Sequence, residues 1–169
     1  TKEIANANTL MTNIPQVNRI KASGPQVEQY SYNSLSDERT QIITLLERLK
    51  DDGVRNSEIV ILSVYSQNNP KCFLCEKGLP SELGRMKTEG KMWGAKNDEI
   101  RFSTISAFKG LESKVVILAD VDSFDEESRK LLNYVAISRA ETTLFVFYSS
   151  VSESERQAMI LRGYPKIKQ

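Results

Sequence analysis

The chain has 169 residues, of which 40% are hydrophobic and 27% are charged, and its net charge at pH 7 is +1. This length is enough for one domain with a hydrophobic core, and we expect residues 1–169 to form a single domain. The charge balance excludes a global attraction to nucleic acid or membranes, so such binding needs a local patch. The absence of a long apolar run and of a signal peptide predicts a cytoplasmic protein with no membrane partner.

The first part of the chain alternates between helix and strand patterns. Residues 1–13 predict a helix and residues 27–32 an outer strand. Acidic residues open a second helix, whose apolar positions at three-four spacing are Ile42, Ile43, Leu45, Leu46 and Leu49. The continuous apolar run at 58–62 is typical of a strand covered on both faces. Residues 66–98 have little periodicity and several Gly and Pro residues, which predicts a long, loop-rich segment.

The second part repeats the alternation. Strands are predicted at 100–105, 114–119 and 143–148. A helix is predicted at 128–138 between the last two strands, and its inward residues are expected to be Leu131, Leu132 and Val135. Ser152 and Glu155 have the spacing of a capping box that opens a final short helix. Strands alternating with helices predict an α/β fold with a mostly parallel sheet and helices on both faces.

The run Thr-Ile-Ser-Ala-Phe-Lys-Gly-Leu-Glu at 104–112 places polar residues in a loop between two strands. Gly110 allows a positive φ or a close approach of the backbone to a ligand. Lys109 can neutralise a phosphate, and Glu112 can accept hydrogen bonds from a ribose hydroxyl. Thr104 and Ser106 are small donors suited to phosphodiester oxygens. The alternative is a plain strand-turn-strand with solvated charges.

A second run, Tyr-Val-Ala-Ile-Ser-Arg-Ala at 134–140, takes Arg139 from a helix end into a strand. A planar guanidinium suits the terminal oxygens of a triphosphate and can stabilise the charge that develops in phosphoryl transfer. The alternative is a salt bridge to Glu141 or to the acidic residues at 120–127. We expect this run and residues 104–112 to meet at a common edge of the sheet, the edge at which open α/β sheets bind ligands outside the strands' carboxyl ends.

Three other patterns do not predict a site. Residues 84–92 have five residues between their glycines and end in Met92, whereas a phosphate loop needs four residues and a hydroxyl. Cys72 and Cys75 lack the further cysteine or histidine ligands of a zinc site. The acidic residues at 120–127 match no calcium loop, so no metal site is predicted.

Residues 104–112, with the apolar strand at 115–118, resemble motif V of UvrD/Rep-like superfamily 1 DNA helicases, and residues 132–140 resemble motif VI. The resemblance implies a three-layer RecA-like (P-loop NTPase-like) fold, that of the second motor domain of such helicases. It implies that Arg139 is the finger toward the γ-phosphate, that Lys109 and Gly110 lie near the phosphates, and that Glu112 faces the ribose. It also implies that Thr104 and Ser106 face single-stranded DNA, although many members have histidine where Ser106 stands.

The chain starts at Thr1 rather than Met, and we expect it to be part of a longer protein. The resemblance implies an ATP-dependent helicase or translocase in which ATP and Mg²⁺ bind between this domain and a preceding RecA-like domain. That first domain supplies the phosphate loop and the magnesium carboxylates, so the chain alone is expected to neither bind nor hydrolyse ATP. Two alternatives remain: a non-catalytic RecA-like module that binds protein or nucleic acid, and a small-molecule α/β enzyme using the acidic loop. The absence of histidine argues against the enzyme.

Overall fold

All the strands of the sheet run parallel to their neighbours. A computed structural model describes residues 2–12, 27–75, 77–88, 96 and 98–163. Its strands are β1 (Glu28–Tyr32), β2 (Ile59–Ser63), β3 (Arg85–Lys87), β4 (Glu99–Thr104), β5 (Ser113–Val121) and β6 (Ala140–Ser149). They form a six-stranded sheet in the order β1-β6-β5-β2-β4-β3. The helices are α1 (Lys2–Thr12), α2 (Leu35–Asp51), α3 (Glu127–Ile137) and α4 (Glu153–Gly163).

Helix α2 covers one face of the sheet. Ser34 begins it as N-cap, and its hydroxyl accepts a hydrogen bond from the amide of Asp37 at 3.1 Å. The buried side chains of α2 follow the predicted three-four spacing, and they pack with residues of β2, β4, β5 and β6. A strand covered on both faces should be apolar throughout, and β2 is buried at every position.

Helices α1, α3 and α4 cover the opposite face. Their contributions to the second core include Ile4, Ala136, Ile137 and Met159, packed against the other side of the same central strands. Helices on both faces of a parallel sheet confirm the predicted three-layer α/β fold of the RecA-like, P-loop NTPase-like type.

Residues 105–112, called the crossover segment below, run across this second face. Thr104 ends β4 level with Ser63 at the carboxyl end of β2, whereas Ser113 begins β5 before the level of Ile59, where β2 starts. The segment therefore passes from the carboxyl end of the sheet to its amino end. Its Phe108 is 0% exposed, which makes it part of the core rather than a solvated loop.

Some local predictions were wrong. Leu131 was expected to face inward but is 60% exposed, because the buried stripe of α3 is instead formed by Asn133, Ala136 and Ile137. The segment at 66–98, predicted to be loop-rich, also contributes the buried side chains of Cys72, Phe73 and Leu74 and the short edge strand β3, which its sequence did not indicate. Residues 76, 89–95 and 97 of that segment lie outside the described residues.

The expected capping box at Ser152 and Glu155 does not form. The Ser152 hydroxyl donates to the carbonyl of Asp122 at 2.6 Å. The Glu155 carboxylate accepts from the Ser123 hydroxyl at 2.9 Å and from the Phe124 amide at 2.8 Å. These two residues tie α4 to the loop after β5 instead. Within the described ranges, no helix has the length and apolar character needed to cross a membrane.

A buried acidic pair lies at the carboxyl end of β5. Glu38 is 0% exposed and Asp120 is 1% exposed, and Glu38 Oε1 accepts a hydrogen bond from the Asp120 amide at 2.7 Å. Asp120 in turn accepts from the Ser63 hydroxyl and, at 2.9 Å, from the Phe73 amide. Burial, and next the charge of Asp120, raise the pKa of Glu38 far above its usual value, so Glu38 holds a proton at neutral pH.

We predict that Phe108→Ala lowers the free energy of unfolding by about 3–5 kcal/mol, because it leaves a cavity between the crossover segment and the sheet. Leu131→Ala is the matched control, since its exposed side chain should change stability by no more than about 0.5 kcal/mol. Denaturant unfolding of the 169-residue chain measures both. Equal effects of the two substitutions would contradict the placement of Phe108.

We also predict a pH-dependent gain from Glu38→Gln. A carboxyl with a raised folded-state pKa binds its proton more tightly in the folded chain, so stability is full below the unfolded pKa of about 4.3 and falls as pH rises above it. Glutamine mimics the protonated form and removes this loss. The free energy of unfolding of Glu38→Gln, relative to wild type, should therefore increase between pH 6 and 9, by at most about 1.4 kcal/mol per pH unit. Unfolding curves across this range test this, with the exposed Glu47→Gln expected to show no such trend.

Candidate functional site

The crossover segment and the run containing Arg139 meet in the structure. The amide of Ser113 donates to the carbonyl of Arg139 at 3.0 Å, and the Nη1 of Arg139 donates to the carbonyl of Leu111 at 3.4 Å. Arg139 is thus bonded to the residues on both sides of Glu112. Two segments that are distant in sequence form one polar surface, as expected.

The edge at which they meet is not the expected one. Ligands of open parallel sheets usually bind outside the carboxyl ends, and that was the expectation for these side chains. Arg139 instead precedes β6, and Glu112 precedes β5, so both lie at the amino ends of their strands. The physical reason is the crossover segment, which returns the chain to the start of the sheet before β5 begins.

The guanidinium of Arg139 is oriented by its own helix end. Its Nε donates to the carbonyl of Val135 at 3.1 Å, and its Nη2 donates to the Ser138 hydroxyl at 2.9 Å. These bonds and the one to Leu111 leave a second N–H on each terminal nitrogen with no partner among the described residues. The alternative of a salt bridge to Glu141 or to the acidic loop is not seen within the described part of the chain.

Lys109, Gly110 and Glu112 lie on the exposed side of the crossover segment. Gly110 has a φ of 84°, in the left-handed region that favours glycine, and nothing lies within 4 Å of the position that a Cβ would occupy. The turn is closed by a bond of 3.1 Å from the Leu111 amide to the carbonyl of Phe108. In the described ranges, neither Lys109 nor Glu112 has a hydrogen bond or ion pair, so both can contact a ligand.

Thr104 and Ser106 lie at the opposite end of the crossover segment. Thr104 is the last residue of β4, and its hydroxyl accepts a hydrogen bond from the Ala107 amide at 3.3 Å. Ser106 is exposed in the turn that follows. Thr104 and Ser106, expected to face DNA, therefore lie at the carboxyl ends of the strands. The residues expected to face a nucleotide lie at the amino ends, a full strand length away.

Arg101 is a polar residue of this site that motif spacing does not single out. It lies in β4 and is 8% exposed, and its Nη2 donates to the Ser113 hydroxyl at 2.7 Å. That hydroxyl donates to the carbonyl of Glu58, also at 2.7 Å. The only sequence signal was a charged residue between Ile100 and Phe102, in a strand whose neighbours are apolar.

The amino end of β2 adds a surface ion cluster to the same edge. The carboxylate of Glu58 is bonded by Arg55 at 2.7 Å and by Lys114 at 2.5 Å. These hydrogen bonds, the one from Arg55 first, lower the pKa of Glu58 to about 2, so it remains ionised at neutral pH. Arg55 and Lys114 are therefore already paired with Glu58, whereas Lys109 and Arg139 have no ion pair among the described residues and are available to an anionic ligand.

The acidic loop and the two cysteines, from which no metal site was predicted, have the following contacts in the structure. In the acidic loop, Asp122 is bonded by Arg129 at 3.0 Å, and Lys130 is 3.6 Å from Asp125. Cys72 and Cys75 are free thiols. Over the residues that the structure covers, no three or more acidic, Cys or His side chains are grouped to hold a metal ion. Met92 lies outside the described residues.

Fold and site together define an α/β domain of the RecA-like, P-loop NTPase-like type with an arginine held beside a glycine-containing crossover segment. A family model described as an AAA domain matches residues 3–150, and the chain belongs to this family. The fold is also similar to the C-terminal domain of a possible DNA helicase from Lactobacillus plantarum WCFS1. The TM-score is 0.65 at 16% identity, covering 88% of this chain and 85% of that one. No curated protein sequence matches the chain.

We predict that Gly110→Ala lowers the free energy of unfolding by about 1–2 kcal/mol, because an alanine at this φ is strained even though its Cβ has space. Gly78→Ala is the control: its Cβ position is equally open and its φ lies outside the left-handed region. Denaturant titration of the two variants measures the difference. If both changed stability equally, the left-handed conformation at Gly110 would be wrong.

Proposed function

We propose that this chain is the second motor domain of an ATP-dependent superfamily 1 DNA helicase or translocase of the UvrD/Rep-like kind. The observation that supports it most is the bonding of Arg139 to the crossover segment on both sides of Glu112. This contact unites the motif V and motif VI candidates on one surface. The membership in an AAA domain family agrees with a nucleotide-dependent role.

The residues at the amino end fit a nucleoside triphosphate. Within the described residues, Lys109 is a free cation, Arg139 has two unpartnered N–H groups, and Glu112 is a free acceptor for ribose hydroxyls. Gly110 leaves its backbone open to a phosphate, since no described residue other than its chain neighbours lies within 4 Å of the position that a Cβ would occupy. ATP, when bound with Mg²⁺, supplies the phosphoanhydride that is cleaved. In the proposal, a preceding RecA-like domain contributes the phosphate loop and the magnesium carboxylates.

The role of Arg139 in this scheme is to stabilise charge. An arginine placed at a phosphoryl group in transfer neutralises the charge that builds on its oxygens. Preorganisation increases the effect, because the guanidinium need not reorient at the moment of reaction. The bonds from Arg139 to Val135 and Ser138 provide that orientation from within the chain.

Single-stranded DNA is proposed to bind at the other end of the crossover segment. Ser106 is exposed there, and Thr104 ends the neighbouring strand, so both hydroxyls can reach phosphodiester oxygens. A serine at position 106 offers a hydrogen bond but neither charge nor a stacking ring. The contact is therefore expected to be independent of base sequence.

In the protein containing both RecA-like domains, Arg139→Ala is expected to lower ATP turnover by about 10³–10⁵-fold, with a much smaller change in nucleotide affinity. Steady-state hydrolysis in the presence of single-stranded DNA, together with equilibrium ADP binding, separates the two effects. Arg48→Ala is the matched control, because Arg48 lies on α2 in an exposed pair with Glu28 and should not affect turnover.

Unchanged turnover in the Arg139→Ala variant would remove its role as finger. The isolated 169-residue chain is a further test, since it is expected to show no ATPase activity. A hydrolysis rate from this chain that survives Arg139→Ala would contradict the proposed division of the active site. A two-domain protein that binds DNA but never hydrolyses ATP would instead indicate a non-catalytic binding module.

A further inference from the structure

Arg101 is a buried cation beneath the crossover segment. Its side chain extends from β4 along the second face of the sheet toward the start of β5, where its Nη2 contacts the Ser113 hydroxyl at 2.7 Å. Its guanidinium carbon also lies 5.8 Å from the centroid of the Phe108 ring, within the range of a cation–π contact. One side chain thus contacts both the buried ring of the crossover segment and Ser113, the residue that follows the segment.

The charge of Arg101 is not balanced by its surroundings. Its Nε is buried and has no hydrogen-bond partner, and no carboxylate in the described residues lies within ion-pair distance of it. Burial lowers the pKa of Arg101, and the charge of Glu141 offsets part of this effect. A buried cation without a paired anion opposes folding, and replacing such a group by an apolar one of similar size is often neutral or stabilising. Folding alone therefore does not explain an arginine at this position.

The position of Arg101 offers a different explanation. Ser113, to which it donates, is bonded through its amide to the carbonyl of Arg139 at 3.0 Å. Phe108, under which it lies, immediately precedes Lys109 and Gly110. Arg101 consequently contacts the sequence neighbours of Lys109 and Glu112 and the hydrogen-bond partner of Arg139, and it adds positive charge to the edge where an anion would bind.

We propose that Arg101 is a positioning residue for nucleotide binding: it holds the crossover segment between Phe108 and Ser113 in the conformation that presents Lys109 and Glu112, and the phosphates of the bound nucleotide supply its missing countercharge. This proposal rests on the proposed function. It assigns Arg101 to binding rather than to chemistry, because Arg101 is only 8% exposed and its guanidinium lies beside the Phe108 ring, beneath the residues proposed to face the nucleotide.

The test is Arg101→Met in the protein containing both RecA-like domains. Methionine fills a similar volume but removes the charge and the bond to Ser113. The KM for ATP and the dissociation constant of ADP are expected to rise about tenfold, while kcat stays within about twofold, the pattern of lost uniform binding. Arg101→Lys, which keeps the charge but not the planar fork, should lie between wild type and the methionine variant. Arg55→Met removes a cation of the same edge that does not contact the crossover segment, and its KM should stay within about twofold of wild type.

Stability of the 169-residue chain provides the second readout. Arg101→Met should leave its unfolding midpoint unchanged or raised, whereas a purely structural arginine would lower it. The inference is overturned if Arg101→Met loses stability or fails to fold, if its KM stays within about twofold of wild type, or if kcat falls as much as KM rises. These outcomes are distinct from failure of the proposed function, in which wild type itself shows no ATP turnover or Arg139→Ala has no effect.

Discussion

The burial of Phe108 determines where the proposed ligands of this domain can bind. With its ring inside the core, the crossover segment must lie flat against β2 rather than project as a loop. The two ends of the segment are thereby fixed at opposite ends of the sheet: Thr104 at the carboxyl end and Glu112 at the amino end. Arg139 is then located by its bonds to the segment, because it has no ion pair in the described residues that could hold it elsewhere.

The buried charges of the domain are separated in the same way. Glu38 and Asp120 lie at the carboxyl end, and Arg101 lies toward the amino end. Burial, and next the charge of Asp120, raise the pKa of Glu38 and so favour its neutral form inside the carboxyl end. At the amino end, the cation of Arg101 has no ion-pair partner among the described residues, which is the basis of its proposed role in nucleotide binding.

The elements of the fold other than β3 followed from periodicity, because the parallel sheet is covered on both faces and its central strands are apolar runs. Details that depend on tertiary contacts could not be predicted from periodicity. Leu131 has the hydrophobicity of a core residue, but the side of α3 that packs into the core is the one with Asn133, Ala136 and Ile137. Glu155 has the spacing of a capping residue, but the free amide of Phe124 competes for its carboxylate. The edge of the sheet at which Arg139 lies could be predicted only from the path of the crossover segment, and no local sequence pattern shows that path.

The location of both proposed ligand contacts on a single short, core-packed segment has a mechanical consequence. Because Phe108 is enclosed by the sheet, we expect a displacement imposed at Glu112 to be passed toward Thr104 through the core packing of the segment. In the proposed motor, DNA translocation would then be coupled to ATP hydrolysis by the stiffness of this one segment rather than by a long chain of contacts. In the proposed two-domain protein, loosening the crossover segment would leave ATP hydrolysis intact but reduce the number of nucleotides travelled for each ATP hydrolysed.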